Sequence, residues 1–267
     1  MNFKKQSIFM RGGTVTEDDY EDGGILAVWG SPGSGKTIAS VKLAKYLASK
    51  KQNTVLVLCD MNAPMLPCIC PASEIESEHS LGSVLAATHV SGALIKHNLT
   101  TLKRNNYLTI LAMKKGENEY TYPPFTDVQA KELMAELREI APNIIVDCGS
   151  YLANDILSAV ALMEADYVLR LSNVDLKSVS YFSSQLTLLR DKKWDSDKQY
   201  KVASNVKPNQ AKEQIAGAIG SVAFTLPYSS ELEQQYLAGT LLGDLQMRDS
   251  RAYRKGIERI AKEVFGC

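Results

Sequence analysis

The sequence has 267 residues, and its 30 Lys and Arg side chains balance 30 Asp and Glu side chains, so the formal net charge at pH 7 is zero. With 45% hydrophobic and 22% charged residues, the composition is that of a globular protein and excludes a disordered or collagen-like chain. A neutral chain also argues against a surface built throughout to hold nucleic acid. The length is enough for one large domain with a core of ordinary size.

No segment resembles a membrane anchor or an export signal. The longest apolar runs hold about five residues, whereas a membrane-spanning helix needs about 20. Lys4 and Lys5 are not followed by the apolar stretch that a secretion signal requires. Five cysteines, an odd number, favour reduced thiols, and we expect a cytoplasmic protein.

In chain order, residues 1–24 mix charges with glycines and are expected to form an N-terminal arm, followed by one domain over residues 25–267. From residue 25 onward, short apolar runs alternate with helical patterns. Most runs are continuously apolar, which is typical of strands buried on both faces of a parallel sheet. The expected strands are residues 25–29, 54–59, 107–112, 143–147, 167–171, 200–204 and 221–225.

The segments between these strands show helical periodicity. Ala39, Leu43 and Leu47 share one face of a helix, and Thr126 with Gln129 has the spacing of a capping box at the start of another. The last apolar stripe consists of Tyr253, Ile257, Ile260, Ala261 and Val264. Repeated strand and helix units predict an α/β fold with a doubly wound, mostly parallel sheet and helices on both faces.

The segment Gly30-Ser-Pro-Gly-Ser-Gly-Lys-Thr37 matches the phosphate-binding pattern G-x-x-x-x-G-K-[ST] in full, between a strand and a helix. Its glycines allow backbone N–H groups to converge on phosphate oxygens, next to the positive end of a helix dipole. Lys36 is expected to act as a catalytic residue on the β- and γ-phosphates, and the Thr37 hydroxyl to ligate Mg²⁺. The predicted nucleotide-binding residues of this segment are Gly30, Ser31, Pro32, Gly33, Ser34, Gly35, Lys36, Thr37 and Ile38.

Two acids follow predicted strands. Asp147 ends an apolar run and is expected to hold Mg²⁺, through water; alternatively, it caps the helix near Leu152. Asp60 follows the run 54–59 and is the second catalytic candidate. It could approach the γ-phosphate and orient water, or it could only cap a turn.

The order of these motifs resembles the MinD/ParA superfamily of P-loop ATPases over nearly all of residues 25–265. Asp60 stands where that family has its first switch, and Ile144-Ile-Val-Asp147 is similar to the second. The resemblance implies ATP or ADP with Mg²⁺ as cofactors. It also implies a homodimer with nucleotide at or near the interface.

The same resemblance extends to the predicted base-binding residues. Val202-Ala-Ser-Asn205 looks like the family strand whose asparagine meets the adenine ring. Pro227 and Tyr228 stand where the family has the loop that frames the base. The resemblance therefore implies that Asn205, Pro227 and Tyr228 bind the nucleotide.

Two positions depart from the family pattern. The family's second P-loop lysine, which reaches the partner's nucleotide, is replaced by Ser31, and its Asp-x-Asp switch reads Asp60-Met-Asn62, which implies slow hydrolysis. Such an altered P-loop resembles the TadZ/CpaE-like branch, which helps to place and assemble Tad/Flp-type pili. That resemblance implies pilus or secretion-machinery proteins as partners. It also implies recruitment to the cell pole or the inner face of the membrane.

Two other functions stay open, a ParA-type DNA-partition ATPase and a metabolic ligase similar to dethiobiotin synthetase. The cationic stretch 248–263 could bind DNA or anionic lipid, or it could be the solvated face of a helix. Since the whole chain is neutral, DNA is possible but not favoured.

The sequence gives little support for a metal centre of cysteine and histidine. Cys68 and Cys70 are too closely spaced for a zinc pair, so we expect ordinary thiols. His79, His89 and His97 are not spaced as ligands on one helix face, so we expect surface or helix positions for them.

Overall fold

The computed structural model describes residues 24–188, 194, 196–210 and 220–266. The arm predicted for residues 1–24 lies outside them, except for Gly24, which begins the first strand. The strands are β1 (Gly24–Gly30), β2 (Thr54–Leu58), β3 (Ile75–Ser77), β4 (Thr100–Leu102), β5 (Asn105–Leu111), β6 (Asn143–Asp147), β7 (Tyr167–Asn173), β8 (Gln199–Val206) and β9 (Phe224–Pro227). The helices are α1 (Lys36–Ser49), α2 (Leu66–Ile69), α3 (Leu81–Leu85), α4 (Gly92–Asn98), α5 (Asp127–Arg138), α6 (Ile156–Glu164), α7 (Leu176–Leu188), α8 (Ser230–Leu237) and α9 (Arg251–Phe265).

The strands form one sheet in the order β3-β4-β5-β2-β6-β1-β7-β8-β9. Only β3 with β4 and β4 with β5 pair antiparallel; all the other neighbouring pairs among the described strands are parallel. Helices cover both faces of the sheet, because α1 and α9 share one core cluster and α3, α5, α6 and α7 share the other. The predicted α/β fold with a mostly parallel sheet is confirmed.

The centre of the sheet explains where a ligand could bind. Strand β1 is apolar from Ile25 to Trp29 and lies between β6 and β7, with Val28 beside Asp147 and Gly30 beside Leu171. Parallel strands bring their carboxyl ends to the same edge of the sheet. The phosphate-binding segment therefore begins at the edge where open α/β sheets bind their ligands.

Two of the predicted helix starts and faces are confirmed in detail. The Thr126 side chain accepts a hydrogen bond from Val128 N–H, and the Gln129 side chain closes a capping box at the start of α5. The predicted stripe on α9 is buried throughout: Tyr253, Ile257, Ile260, Ala261 and Val264. Both helices are therefore positioned by local signals that are visible in the sequence.

The bounds of the last strand were predicted wrongly. The sequence predicted a strand over residues 221–225, but β9 runs from Phe224 to Pro227 and pairs with β8 through Val202 and Ala203. As an edge strand, β9 buries only Phe224 and Leu226, so it alternates and lacks the continuously apolar pattern that marks a central strand. Strands β3 and β4 were not predicted, because they are only three residues long and partly polar.

Within the described residues, no helix combines the length and the apolar character needed to cross a bilayer.

One buried cation ties α1 to the loop after α8. Lys42 Nζ donates to the carbonyl oxygens of Leu241 at 2.5 Å and Gly243 at 2.9 Å, and to Gln235 Oε1 at 2.6 Å. The side chain is 5% exposed, so these three oxygens take the place of water around the ammonium. The helix that begins at the phosphate-binding segment is thereby fixed to the C-terminal part of the chain.

Burial lowers the pKa of Lys42 to about 7, so the cost of burying the charged form disappears only near the ordinary lysine pKa. At pH 10 we expect Lys42→Met to lower the free energy of unfolding by about 2–3 kcal/mol, because buried acceptors then lack a donor. The matched control is Lys45→Met on the same helix, whose partner Asp244 is 77% exposed. It should cost less than about 1 kcal/mol, as a surface ion pair does. Urea unfolding of both variants measures the difference. Equal losses would show that the Lys42 hydrogen bonds contribute no more than a surface pair.

Candidate nucleotide-binding site

The phosphate-binding loop has a backbone that requires its glycines. Gly33 and Gly35 have φ values of 71° and 78°, in the left-handed region that other residues rarely adopt. At Gly30, a Cβ atom would lie 2.0 Å from the carbonyl oxygen of Leu171 on β7. The loop therefore leaves β1 in contact with the neighbouring strand and turns directly into α1, as a phosphate cradle must.

The ammonium of Lys36 lies across this loop. Its Nζ donates to Ser150 Oγ at 2.6 Å and points at the carbonyl oxygens of Gly30 at 3.5 Å and Ser31 at 3.4 Å. Burial lowers the pKa of Lys36, although Asp147 acts in the opposite direction. A cation held among carbonyl oxygens inside the cradle is available for the phosphate oxygens of a ligand.

Thr37 and Asp147 are brought together at the expected metal position. The Thr37 hydroxyl donates to Asp147 Oδ2 at 2.6 Å, and the Ser40 hydroxyl donates to Asp147 Oδ1 at 3.1 Å. Asp147 does not cap the following helix; α6 is capped by Asp155, which accepts from Ser158 N–H at 2.9 Å. Burial raises the pKa of Asp147 to about 6. A nearby divalent cation would act in the opposite direction and favour the ionised carboxylate.

The donor set fits a phosphate-bearing ligand with a hard cation. Ser34 is fully buried, and its hydroxyl has no hydrogen-bond partner within the described part of the chain. Asn173, at the end of β7, also has an unpaired Oδ1 there, and its Nδ2 lies 4.0 Å from where a Cβ of Gly33 would be. Thr37 and Asp147 offer the oxygen ligands that Mg²⁺ uses alongside phosphate and water.

The remaining predicted loop residues lie in or next to this cradle. Pro32 is half-buried, and Ile38, in the first turn of α1, packs against the core cluster on the α1 face. Ser31 is buried, and its Oγ lies 2.8 Å from Ser178 Oγ of α7. The Ser31 hydroxyl is therefore held inside the protein.

Asp60 lies at the same edge of the sheet, and one of its two predicted roles is visible in the hydrogen bonds. Its Oδ1 accepts from the backbone N–H groups of Asn62 at 3.0 Å and Ala63 at 2.8 Å, so it caps the turn after β2. Asp60 also influences Lys36 and Asp147 electrostatically, which places its charge near the cradle. The capping role is confirmed, and the role toward water stays a prediction.

The three predicted base-binding residues lie on neighbouring segments. Asn205 is exposed and has a φ of 57°, and the N–H of Tyr228 donates to the carbonyl of Val206 at 3.0 Å. The Tyr228 hydroxyl donates to Glu233 Oε2 at 2.6 Å, and Pro227 is half-buried beside it. The end of β8 and the loop after β9 are thereby joined. Ser204 Oγ would lie 3.6 Å from a Cβ of Gly35, so this segment approaches the cradle.

Several residues of the site were missed in the sequence. Ser150 accepts from Lys36 and donates to Gly30 O at 2.9 Å, and the Tyr181 hydroxyl donates to the carbonyl of Ser150. Asp175 caps α7 by accepting from Ser178 N–H at 2.7 Å. The sequence signal for Ser150 was its position shortly after a strand that ends in an acid, whereas Asp175 and Ser178 resemble the start of a helix in the MinD/ParA pattern, which the cap of α7 confirms.

The cysteine and histidine positions agree in part with expectation. Cys68 and Cys70 are free thiols, as predicted. His97 lies on α4 and His89 is exposed, in agreement with the expected surface or helix positions, and the rings of His79 and His97 have centroids 5.2 Å apart. No group of three or more His, Cys, Asp or Glu side chains in the described ranges is arranged to hold a metal ion.

No protein-family model matches the sequence, and no curated protein is significantly similar to it. Solved structures do match. A ParA family ATPase from Chlorobium tepidum has a TM-score of 0.73 and 13% identity, with 90% of this chain and 98% of that chain covered. The cell division ATPase MinD from Pyrococcus furiosus has a TM-score of 0.70 and 16% identity, covering 90% and 99%.

The chain has the MinD/ParA fold. A third structure, the septum site-determining protein MinD from Pyrococcus horikoshii complexed with Mg-ADP, gives a TM-score of 0.70 at 14% identity and covers 90% of this chain and 96% of that chain. All three similarities extend over nearly the whole MinD or ParA chain. The ATPase fold that the motif order implied is therefore confirmed.

We expect Asp147→Asn to raise the free energy of unfolding by about 1–2 kcal/mol at pH 8 without nucleotide, because each raised pKa unit costs the ionised acid about 1.4 kcal/mol. The unfolded-state pKa is near 3.8 and the folded value is about 6, so the gain should shrink as the pH falls from 6 to 4. Urea unfolding without Mg²⁺ at several pH values measures it. A variant less stable than the parent at pH 8 would mean that Lys36 more than offsets the burial of this acid.

Proposed function

We propose that this protein is an ATP-binding switch of the MinD/ParA type, forming a homodimer with nucleotide at or near the interface. The observation that carries the proposal is the cradle from Gly30 to Thr37, with Lys36 Nζ inside it and Thr37 hydrogen-bonded to Asp147 at 2.6 Å. Lys36 would neutralise the β- and γ-phosphates, and Thr37 with Asp147 would hold Mg²⁺. Asn205, Pro227 and Tyr228 would bind the base.

Mg²⁺, when bound, would offset the negative charge of the phosphates, and the other tasks would fall to residues of the chain. Backbone N–H groups of Gly33 and Gly35 would face the phosphate oxygens, whereas the N–H of Ser34 donates to the carbonyl of Ser31 at 3.1 Å. Ser40 would keep Asp147 oriented through its hydrogen bond at 3.1 Å. Structures of this fold bound to Mg-ADP and to AMPPNP support the choice of ligand.

We further propose that ATP hydrolysis is slow and that the output of the switch is a protein-binding surface. Ser31 supplies no charge to a partner's nucleotide, because its hydroxyl is neutral, and it is also buried against Ser178. Asn62 cannot take a proton from an attacking water, and Asp60 is already engaged by two backbone N–H groups. A switch that retains ATP would stay in one form long enough to organise an assembly.

The assembly that we propose is a Tad/Flp-type pilus or a secretion machine. The resemblance of the altered loop to the TadZ/CpaE-like branch supports it. Recruitment from the cytoplasm to the pole or to the inner face of the membrane would follow from binding such partners. The MinC:MinD cell division complex from Aquifex aeolicus is an example of this fold bound to a partner protein.

The main alternative is DNA partition, and it fits the fold equally well. A ParA family ATPase and a plasmid partition protein are among the similar structures. Exposed Arg251, Arg254, Lys255 and Arg259 on α9 could contact phosphates. A gel shift at low salt separates the two functions, because partition requires ATP-dependent binding to DNA of any sequence.

Replacing Lys36 by Ala should weaken ATP binding at least about tenfold, because a charge-assisted contact to phosphate is lost. Titration calorimetry with ATP and Mg²⁺ measures the affinity. The control is Lys50→Ala, at the exposed end of the same helix, which should bind ATP as the parent does. If Lys36→Ala retained full affinity, ATP would have to bind elsewhere.

Nucleotide should control the oligomeric state. We expect light scattering to give twice the monomer mass of 29.3 kDa with ATP and Mg²⁺, and a smaller mean mass without nucleotide. Phosphate release should be slow enough for the dimer to persist through the measurement. Lys36→Ala should remain monomeric under both conditions. A mass that does not respond to nucleotide in the parent protein would contradict the switch.

A further inference from the structure

Two cysteines lie side by side between the two acids of the site. Cys59 directly follows β2 and precedes Asp60, and Cys148 directly follows β6 and Asp147. Strands β2 and β6 are neighbours, with Leu58 opposite Asp147, so the next residues on each chain are the two cysteines. The N–H of Cys59 donates to the carbonyl of Asp147 at 3.0 Å, which continues the pairing beyond the strands.

The two thiols point to the same side of the sheet and touch. Both side chains belong to the core cluster on the face opposite α1, and they are 2% and 3% exposed. The Cys148 Sγ donates to the carbonyl oxygen of Val146 at 3.7 Å. The neighbouring Cys148 thiol and burial raise the pKa of the Cys59 thiol well above its ordinary value, so we expect oxidation to become faster as the pH rises. Neighbouring strands lie about 4.8 Å apart, and disulfides form at Cα separations of about 4.4–6.8 Å. The spacing of neighbouring strands therefore falls within the Cα range of disulfides.

Cys59 also lies at the wall of a cleft, although its side chain is almost fully buried. It lines a cleft of about 560 Å³, together with Asp60, Met61, Tyr122, Phe125 and Asp155. Hydrogen peroxide is little larger than water and could enter a cleft of this size. The other two cysteines within the described part of the chain, Cys68 and Cys70, do not line it.

We propose that Cys59 and Cys148 form a dithiol modification site, which peroxide oxidises to a disulfide that restrains the loop carrying Asp60. The Cys59 sulfur attacks one peroxide oxygen, the O–O bond breaks, and a sulfenic acid and one water form. The Cys148 sulfur then attacks the Cys59 sulfur, the S–O bond breaks, and a second water leaves. Two thiols thus give two electrons and two protons to one peroxide, and a small thiol reverses the change.

The position of the pair gives the disulfide a consequence for the nucleotide site. Asp60 and the turn after it are held by hydrogen bonds from the N–H groups of Asn62 and Ala63 to its own side chain. A covalent bond at Cys59 would fix the root of this turn to the strand that carries Asp147. The turn that carries Asp60 would then move less when ATP binds, so the oxidised protein would bind ATP more weakly. This consequence, unlike the oxidation itself, rests on the proposed function.

The oxidation is tested on the full chain with no nucleotide present. The reduced protein is treated with hydrogen peroxide, alkylated under denaturing conditions and digested without reductant for mass spectrometry. We expect a peptide cross-linked through Cys59 and Cys148, removed by dithiothreitol and absent from Cys148→Ala. The control variant Cys68→Ala/Cys70→Ala should still form it. Alkylatable thiols at both positions, a disulfide between other cysteines, or sulfinic acid at Cys59 without a cross-link would each overturn the proposal.

The consequence is tested by titrating the oxidised and reduced proteins with ATP. We expect about tenfold weaker binding after oxidation, within the usual range of coupling between sites, and full recovery with dithiothreitol. Cys59→Ala, which lacks the sulfur that attacks peroxide, should bind ATP equally well before and after peroxide once circular dichroism has confirmed its fold. Equal affinities of the cross-linked and reduced parent protein would refute control of the nucleotide site and leave the modification standing. If neither form binds ATP, the proposed function fails independently of the cross-link.

Discussion

The structure depends most on the close approach between β1 and β7 where the phosphate-binding loop begins. A side chain at Gly30 would have its first carbon 2.0 Å from the backbone oxygen of Leu171, so only glycine permits this approach. Strand β1 lies between β6 and β7. Its contact with β7 at Gly30 lies where the chain leaves the sheet for the loop and α1. The loop, Lys36 and Asp147 are then brought together by strand order, with no need for a long flexible segment.

The local parts of the site could be predicted from the sequence. The loop from Gly30 to Thr37 is contiguous, and its strand and helix are marked by apolar runs on either side. Asp147 could be predicted for the same reason, because an apolar strand that ends in an acid is a local pattern. The last strand was shifted by about three residues because an edge strand buries only every second side chain.

The contacts that join distant segments could not be predicted. Ser150 meets Lys36 across 114 residues and Ser31 meets Ser178 across 147, and no local pattern shows that these pairs are in contact. The dithiol is a similar case. Strands β3, β4 and β5 intervene in the chain between β2 and β6, so the sequence does not reveal that Cys59 and Cys148 are neighbours. For Asp60, the sequence allowed two roles, and hydrogen bonding to its own turn decided only one of them.

The packing of Ser31 against Ser178 limits the size of the side chain that position 31 can hold. Both side chains are almost fully enclosed, at 1% and 2% exposure, and each fills the space beside the other. A longer residue at position 31 would have to displace α7 or coincide with a smaller residue at position 178. Positions 31 and 178 would then have to change together. The packing around position 31 therefore favours a short side chain there.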